Sequence, residues 1–228
     1  MKKYTVVAAA LAATMLANPA HAGSADGRIQ VKVLATGVLP DGKIDTVKSV
    51  IPSVAAALGA SPDTKANDNV VPTIAVEYYA TPSVSIETIC CLTTHHVTGT
   101  GSIAGAAIAN HVMILPATVT LKYHLDAGAI KPYVGVGPAL FFFIDEKPGA
   151  TAKALGASSL KINDTFGLAL QAGVDIPVND TGMGISFDAK RYFIKPTTHF
   201  YTAAGVEALS TKHKLDPWVI SGGVYFRF

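Results

Sequence analysis

The chain has 228 residues, half of them hydrophobic, with 18 Lys and Arg against 16 Asp and Glu. Taking away a secretion signal that carries Lys2 and Lys3 leaves acids and bases balanced, so no basic excess argues for nucleic acid. No apolar stretch reaches the roughly 18 residues of a membrane helix, which excludes a helical membrane protein and leaves a large apolar content to be placed by other means.

Residues 1–22 read as a signal peptide. Met1-Lys2-Lys3 is the positive start, Val6 to Ala17 the apolar run, and Ala20-His21-Ala22 a small-x-small cleavage site. The predicted mature domain is 23–228, and it opens on Gly23 rather than the Cys of a lipoprotein.

Eight alternating segments follow, near 28–38, 70–80, 83–96, 111–125, 130–144, 164–177, 183–195 and 217–228, with Gly, Pro, Asn and Asp between them. Their connections alternate in length. Those at 81–82, 126–129 and 178–182 are short, whereas those at 39–69, 97–110, 145–163 and 196–216 are long. Short periplasmic turns opposite long extracellular loops, with an even strand count, predict an all-β fold: an eight-stranded antiparallel transmembrane β-barrel. Such closure pairs every backbone group without water. With the aromatic terminus Phe228, it predicts secretion to the periplasm and insertion into the cell outer membrane. The partners this implies are outer-membrane lipid and lipopolysaccharide, with periplasmic chaperones and the barrel-assembly machinery during insertion.

In the first long loop Val47, Val50, Ile51, Val54 and Leu58 recur at helical spacing, with Pro52 in an early turn. A short helix on the barrel rim and an irregular loop both fit. Cys90 and Cys91 fall on opposite faces of a strand and read as two small apolar residues; a strained vicinal disulfide would interrupt the pairing.

The last strand sets the parity. Trp218, Ile220, Val224, Phe226 and Phe228 share the lipid face, so Arg227 points inward. The same test applied to each strand yields an inward charge set: Arg28, Lys32, Glu77, Glu87, Lys122, Lys131, Asp175, Asp188, Lys190 and Arg227, with His124 beside them. Six cations and four anions in so narrow a barrel are expected to pair and plug the lower lumen. Towards the external ends the inward residues are apolar: Leu34, Val71, Ile89, Cys91, Ile114, Pro116, Phe141, Phe143 and Val219. They outline a hydrophobic chamber for small hydrophobic ligands, or the ordinary packing of a narrow barrel. Gly135 and Gly137 face inward on the fifth strand, while Pro116 and Pro138 remove ladder donors. Either proline marks a sideways gap in the wall or a packed bulge.

These segments resemble the OmpW family of small outer-membrane barrels. The matching stretches run from Val33 to Gly42, Leu115 to Thr118, Lys131 to Gly137, Phe166 to Asp175, Asp188 to Tyr192 and Trp218 to Phe228. The resemblance implies uptake of small hydrophobic molecules through a hydrophobic interior with a lateral exit. Two departures stand out: Ala117 where members commonly have a second Pro, and Asn179-Asp180-Thr181-Gly182 in place of a Pro-Asn-Trp-like turn.

The expected function is therefore a passive outer-membrane channel for small hydrophobic molecules, with an envelope receptor using its long loops as the alternative. A lipid-modifying enzyme would need a nucleophile, a His base and an orienting acid together. His95, His96, His111, Ser102 and Glu207 carry no signal that unites them, and of His95 and His96, which point opposite ways on a strand, at most one could join His111 in a metal site at the rim. No catalytic residue, metal or cofactor is expected.

Overall fold

The structure is a computed structural model and describes residues 26–228; the predicted signal peptide lies outside them. In chain order come β1 (Ile29–Leu39), β2 (Lys43–Val50), α1 (Pro52–Leu58), β3 (Pro62–Ala66), β4 (Asn69–Thr81) and β5 (Val84–Cys90). Next are β6 (Thr93–Gly101), β7 (Ala107–His124), β8 (Lys131–Pro148), α2 (Ala150–Ala154) and β9 (Ala157–Ile162). The chain closes with β10 (Thr165–Pro177), β11 (Met183–Phe193), β12 (Thr197–Thr202), β13 (Glu207–Lys214) and β14 (Trp218–Arg227).

Eight of these strands form the barrel. Around the wall the order is β1, β14, β11, β10, β8, β7, β5 and β4, and β4 returns to β1. Every pairing is antiparallel, and the β7–β8 ladder completes the ring. No helix among the described residues is long and apolar enough to cross a membrane; the strands cross instead.

Parity along the strands is as the alternation requires. In β14 the even residues Trp218, Ile220 and Val224 are exposed while Val219, Ser221 and Tyr225 are buried. Val33, Ile74, Leu121, Val134 and Leu170 likewise stand outward and exposed, which is stable only against lipid. Tyr78, Tyr123 and Phe228 ring the periplasmic end, and Trp218, Phe193 and Phe166 the opposite one. Cys90 faces out and Cys91 in, both as free thiols.

Two gaps in the wall keep register on either side, and each falls at a proline. β6 continues β5 along β7 in one register, but pairing jumps from Ile89↔Thr118 to Thr93↔Ile114. The skipped stretch is centred on Cys91 opposite Pro116, which has no N–H to offer. Between β7 and β8 the pairing jumps from Thr118↔Ala139 to Leu121↔Val136, across Pro138. That second interruption is packed shut. A Cβ on Gly137 would lie 1.9 Å from the Val119 carbonyl oxygen, so only glycine allows the two backbones so close.

The long loops are more ordered than the sequence reading anticipates. β2, β13, β12 and β9, drawn from three of them, build a second four-stranded sheet above the barrel. β3 adds to β6, and β7 and β8 extend to 18 residues each to carry this superstructure. The helix read from Val47 onward starts only at Pro52, whose fixed φ suits a first turn. Residues 43–50 are a strand, because Thr46, Val47 and Val50 are β-branched and β13 offers them a ladder. Val54 and Leu58 of α1 are buried against Ala208.

Candidate functional site

The lower lumen is a closed ionic network. Lys122 Nζ lies 2.8 Å from Glu77 and 2.9 Å from Glu87, and Lys32 reaches Glu77 at 3.2 Å and Asp175 at 3.1 Å. Lys190 joins Asp188 at 2.7 Å and Glu87 at 3.0 Å. All seven side chains are buried. Charges so far from water persist only when their remaining hydrogen-bond sites are filled. Polar side chains fill them here. Gln171 donates to Glu87 and Asp188, Gln30 and Ser186 donate to Asp175, and Tyr133 donates to Asp188. Ser85 and His124 satisfy Glu77. The Lys122 ammonium also sits 3.7 Å from the Tyr133 ring centroid. Tyr133 lies over its neighbour strand β10 to reach Asp188 on β11 because Gly173 lacks a side chain: a Cβ there would meet its hydroxyl at 2.4 Å.

Three residues of the expected plug lie outside this network. Arg28 is exposed and Lys131 half-buried, both lining the periplasmic mouth. Each stands at the end of its strand, where the lumen opens to water. Arg227 is buried, but its guanidinium stacks 3.8 Å from the Tyr79 ring and its Nε donates to the Gly27 carbonyl. The balance of charge is therefore different from the sequence count. Three lysines face four carboxylates in the sealed part, and His124 Nε2 lies 2.8 Å from Glu77.

Above the floor lies an apolar space in two parts. A small pocket of about 20 Å³ is lined by Ile89, Cys91, Ile114, Pro116, Phe141 and Val219. A larger chamber of about 80 Å³ lies higher, with Ile114 and Phe143 in its wall beside Val112, Leu160 and Phe200. Ile114, His95 and Leu215 line both parts. Val71 belongs to the surrounding core, and Leu34 is buried lower on β1 without lining either space.

Much of the chamber wall comes from the loop sheet and was not read from the sequence. Leu160 on β9, Phe200 on β12 and His213 on β13 all contribute. Short alternating runs such as Thr197–Thr202 carried the signal, but only pairing with distant strands gives it meaning. The chamber's polar groups are occupied with one another. The Thr64 hydroxyl donates to the Gly42 carbonyl at 2.6 Å, so it accepts from His213 Nδ1 at 3.3 Å, and Thr211 donates to His213 Nε2 at 2.8 Å. His213 is thus held neutral, and burial pushes its pKa down to about 4. His95 is fixed by the Asn67 carbonyl and the Thr93 hydroxyl.

The other candidate polar residues are scattered. His96 bonds the Asn110 carbonyl, His111 lies 3.4 Å from Asp145, and Ser102 donates to the Leu58 carbonyl. Glu207 accepts from Ser49 and meets His199 at 2.7 Å. There the acid sits between hydroxyl and imidazole, which is not the order that activates a nucleophile.

A lipid-faced eight-stranded barrel with a sealed charged floor and an apolar upper interior defines a small outer-membrane protein of Gram-negative bacteria. Residues 25–228 match the OmpW family model, and the chain belongs to that family. It is 33% identical over 168 residues to the uncharacterized outer-membrane protein y4mB of Sinorhizobium fredii, covering 73% of this chain and 69% of that one. It is 26% identical to Outer membrane protein W of Vibrio cholerae, over 98% of this chain and 100% of the other. The crystal structure of OprG from Pseudomonas aeruginosa superposes with a TM-score of 0.74 at 23% identity, over 90% of this chain and 98% of that one; at that identity the likeness concerns the fold.

Proposed function

We propose that this barrel, an outer-membrane channel for small molecules, takes up apolar ones passively and releases them sideways into the membrane. The observation that carries this reading is the stacking of an apolar chamber on a floor of buried charge in which every carboxylate meets a lysine. An apolar molecule in the chamber gains by leaving water, on the order of 25 cal/mol for each Å² removed. It cannot continue downward, because separating the lysines from their carboxylates would strand buried charges at several kcal/mol each.

The interrupted ladder supports the sideways route. The small pocket beneath the chamber touches Cys91 and Pro116, where β5–β6 and β7 lack ladder bonds. Fewer bonds need to break there than elsewhere along β7. The paired interruption at Pro138 is a poorer exit, since Gly137 already packs on the β7 backbone.

Growth and uptake on a small hydrocarbon, compared between a deletion strain and its complemented parent, test the reading. Slower uptake without the protein is expected. Equal uptake, together with no binding of apolar compounds by the purified barrel, would overturn it.

A further inference from the structure

The periplasmic mouth of the barrel holds a space of about 310 Å³, larger than either apolar space above the floor. Three cations line it: Arg28 just before β1, Arg227 at the end of β14 and Lys131 at the start of β8. Asp26 is the one acid in its wall among the described residues. β14 neighbours β1, but β8 stands on the opposite side of the eight-stranded ring. Positive charge therefore faces the space from both sides, and a concavity lined by one sign of charge concentrates its field.

The backbone around the mouth is fixed. Tyr79 N–H donates to the Arg28 carbonyl at 2.7 Å, and Ile29 and Phe228 exchange N–H···O bonds of 3.1 and 2.7 Å. Gly27 packs on the end of β14 so closely that a Cβ there would lie 2.1 Å from the Phe228 carbonyl carbon. The Gly27 carbonyl accepts from Arg227 Nε at 2.6 Å, while the guanidinium stacks on Tyr79. Arg227 is only 8% exposed, so its side chain is ordered before a ligand arrives and little freedom remains to be lost. The described hydrogen bonds use only its Nε, and the two terminal nitrogens carry the donors that suit an oxyanion. Among the described ion pairs none includes Lys131 or Arg227, whereas Lys147, Lys195 and Lys214 in the external loops each have a carboxylate.

An anion that enters the mouth goes no further. A narrower recess shares Tyr79, Lys131 and Arg227 with the mouth and leads to Gln30 and Asp175. The Asp175 carboxylate, 3.1 Å from Lys32 of the floor, repels a second negative group at that end. The mouth is thus a cup, open to the periplasm and closed above.

We propose that this cup is a binding site for a phosphate group, held by Arg227 and Arg28 on one side and Lys131 on the other. A planar carboxylate is matched by a single guanidinium. Cations converging from opposite strands fit a tetrahedral group with three terminal oxygens and up to two charges. The group belongs either to free phosphate in the periplasm or to the headgroup of a phospholipid at the barrel's lower rim. The site is independent of the uptake reading, since the floor separates it from the chamber.

The test places the mature chain in dodecyl maltoside micelles, which carry no phosphate, and follows the amide chemical shifts of Gly27, Arg28, Thr81 and Lys131. One arm adds inorganic phosphate, the other phosphatidylglycerol dissolved in the micelles, with sodium chloride holding ionic strength constant. Saturable shifts at these amides are expected in at least one arm. Saturation by inorganic phosphate assigns a free oxyanion, and saturation by the lipid alone assigns a headgroup. Arg227→Gln should raise the midpoint on the order of tenfold, the usual weight of a charge-assisted hydrogen bond. Because Arg227 is packed on Tyr79, the paired variant Arg28→Gln with Lys131→Gln decides the matter should Arg227→Gln fail to fold. Arg28 is exposed and Lys131 half-buried, so the paired variant leaves the packing intact, and heat-modifiable migration verifies the fold. It should raise the midpoint at least as far. Shifts without saturation in both arms, or one midpoint shared by the parent and the paired variant, would overturn the site.

Discussion

The Lys122 ammonium lies 2.8 Å from one carboxylate oxygen of Glu77, and both side chains are completely withdrawn from water. Glu87 closes the group at 2.9 Å. Lys122→Met would leave Glu77 with Lys32 and His124, and Glu87 with Lys32 and Lys190. Breaking a buried pair by removing one partner costs about 3–5 kcal/mol. The urea midpoint of the barrel in phospholipid vesicles, followed by the emission of the single tryptophan Trp218, should fall accordingly. Adding Glu87→Gln should restore part of the loss. An unchanged midpoint in the single variant would mean that the floor is dispensable for stability.

That floor was partly legible in the sequence. Strict alternation on β1, β4, β7 and β11 put Lys32, Glu77, Lys122 and Lys190 inside, because a one-residue slip would send a charge into lipid. Parity does not say where along the axis water begins, so it groups Arg28 and Lys131 with the plug although they stand at the open mouth. The chamber was less legible. Its lower wall, with Ile114 and Phe143, follows from barrel parity. Its upper wall comes from Leu160, Phe200 and His213, on strands of six to eight residues whose partners lie in other loops. Nothing local to those strands specifies that they meet.

Cys91 falls opposite Pro116 in the register that β5 and β6 share along β7. Both face the lumen, and directly opposed strand residues stand within reach of a disulfide. With Cys90→Ala to avoid mispairing, Pro116→Cys should form a bond to Cys91 under oxidising conditions. The bond would close the interrupted ladder, and hydrocarbon uptake should fall and recover on reduction. Free-thiol titration with and without oxidant checks that the bond forms. Uptake that is indifferent to the bond would move the exit elsewhere in the wall.

His213 makes the loop sheet sensitive to acid. Its folded-state pKa, near 4, is below the ordinary value of about 6.5. As pH falls through the ordinary value the opened state takes up a proton and the folded state does not. The stability of the neutral, half-buried ring is therefore complete above about pH 6.5 and declines towards pH 4, by roughly 2 kcal/mol. Hydrogen exchange at β13 amides, corrected for the intrinsic pH dependence, should report easier opening at pH 4.5 than at pH 7. His213→Asn should flatten that difference, while the barrel amides of β14 should keep theirs in both proteins.

Ile114 separates the chamber from the pocket above the floor, lining both. Its size should therefore govern passage between them. Ile114→Ala removes the partition and leaves a cavity, at a cost of about 2–5 kcal/mol in barrel stability. Ile114→Phe overfills the same place at about 1–3 kcal/mol. Both variants lose stability, but they should move selectivity in opposite directions. Uptake of a slim n-alkane and of a fused aromatic hydrocarbon, measured side by side, separates the effects. The alanine variant should raise the aromatic rate relative to the alkane, and the phenylalanine variant should lower both with the aromatic falling further. A common fall without change in the ratio would show that Ile114 acts only through stability.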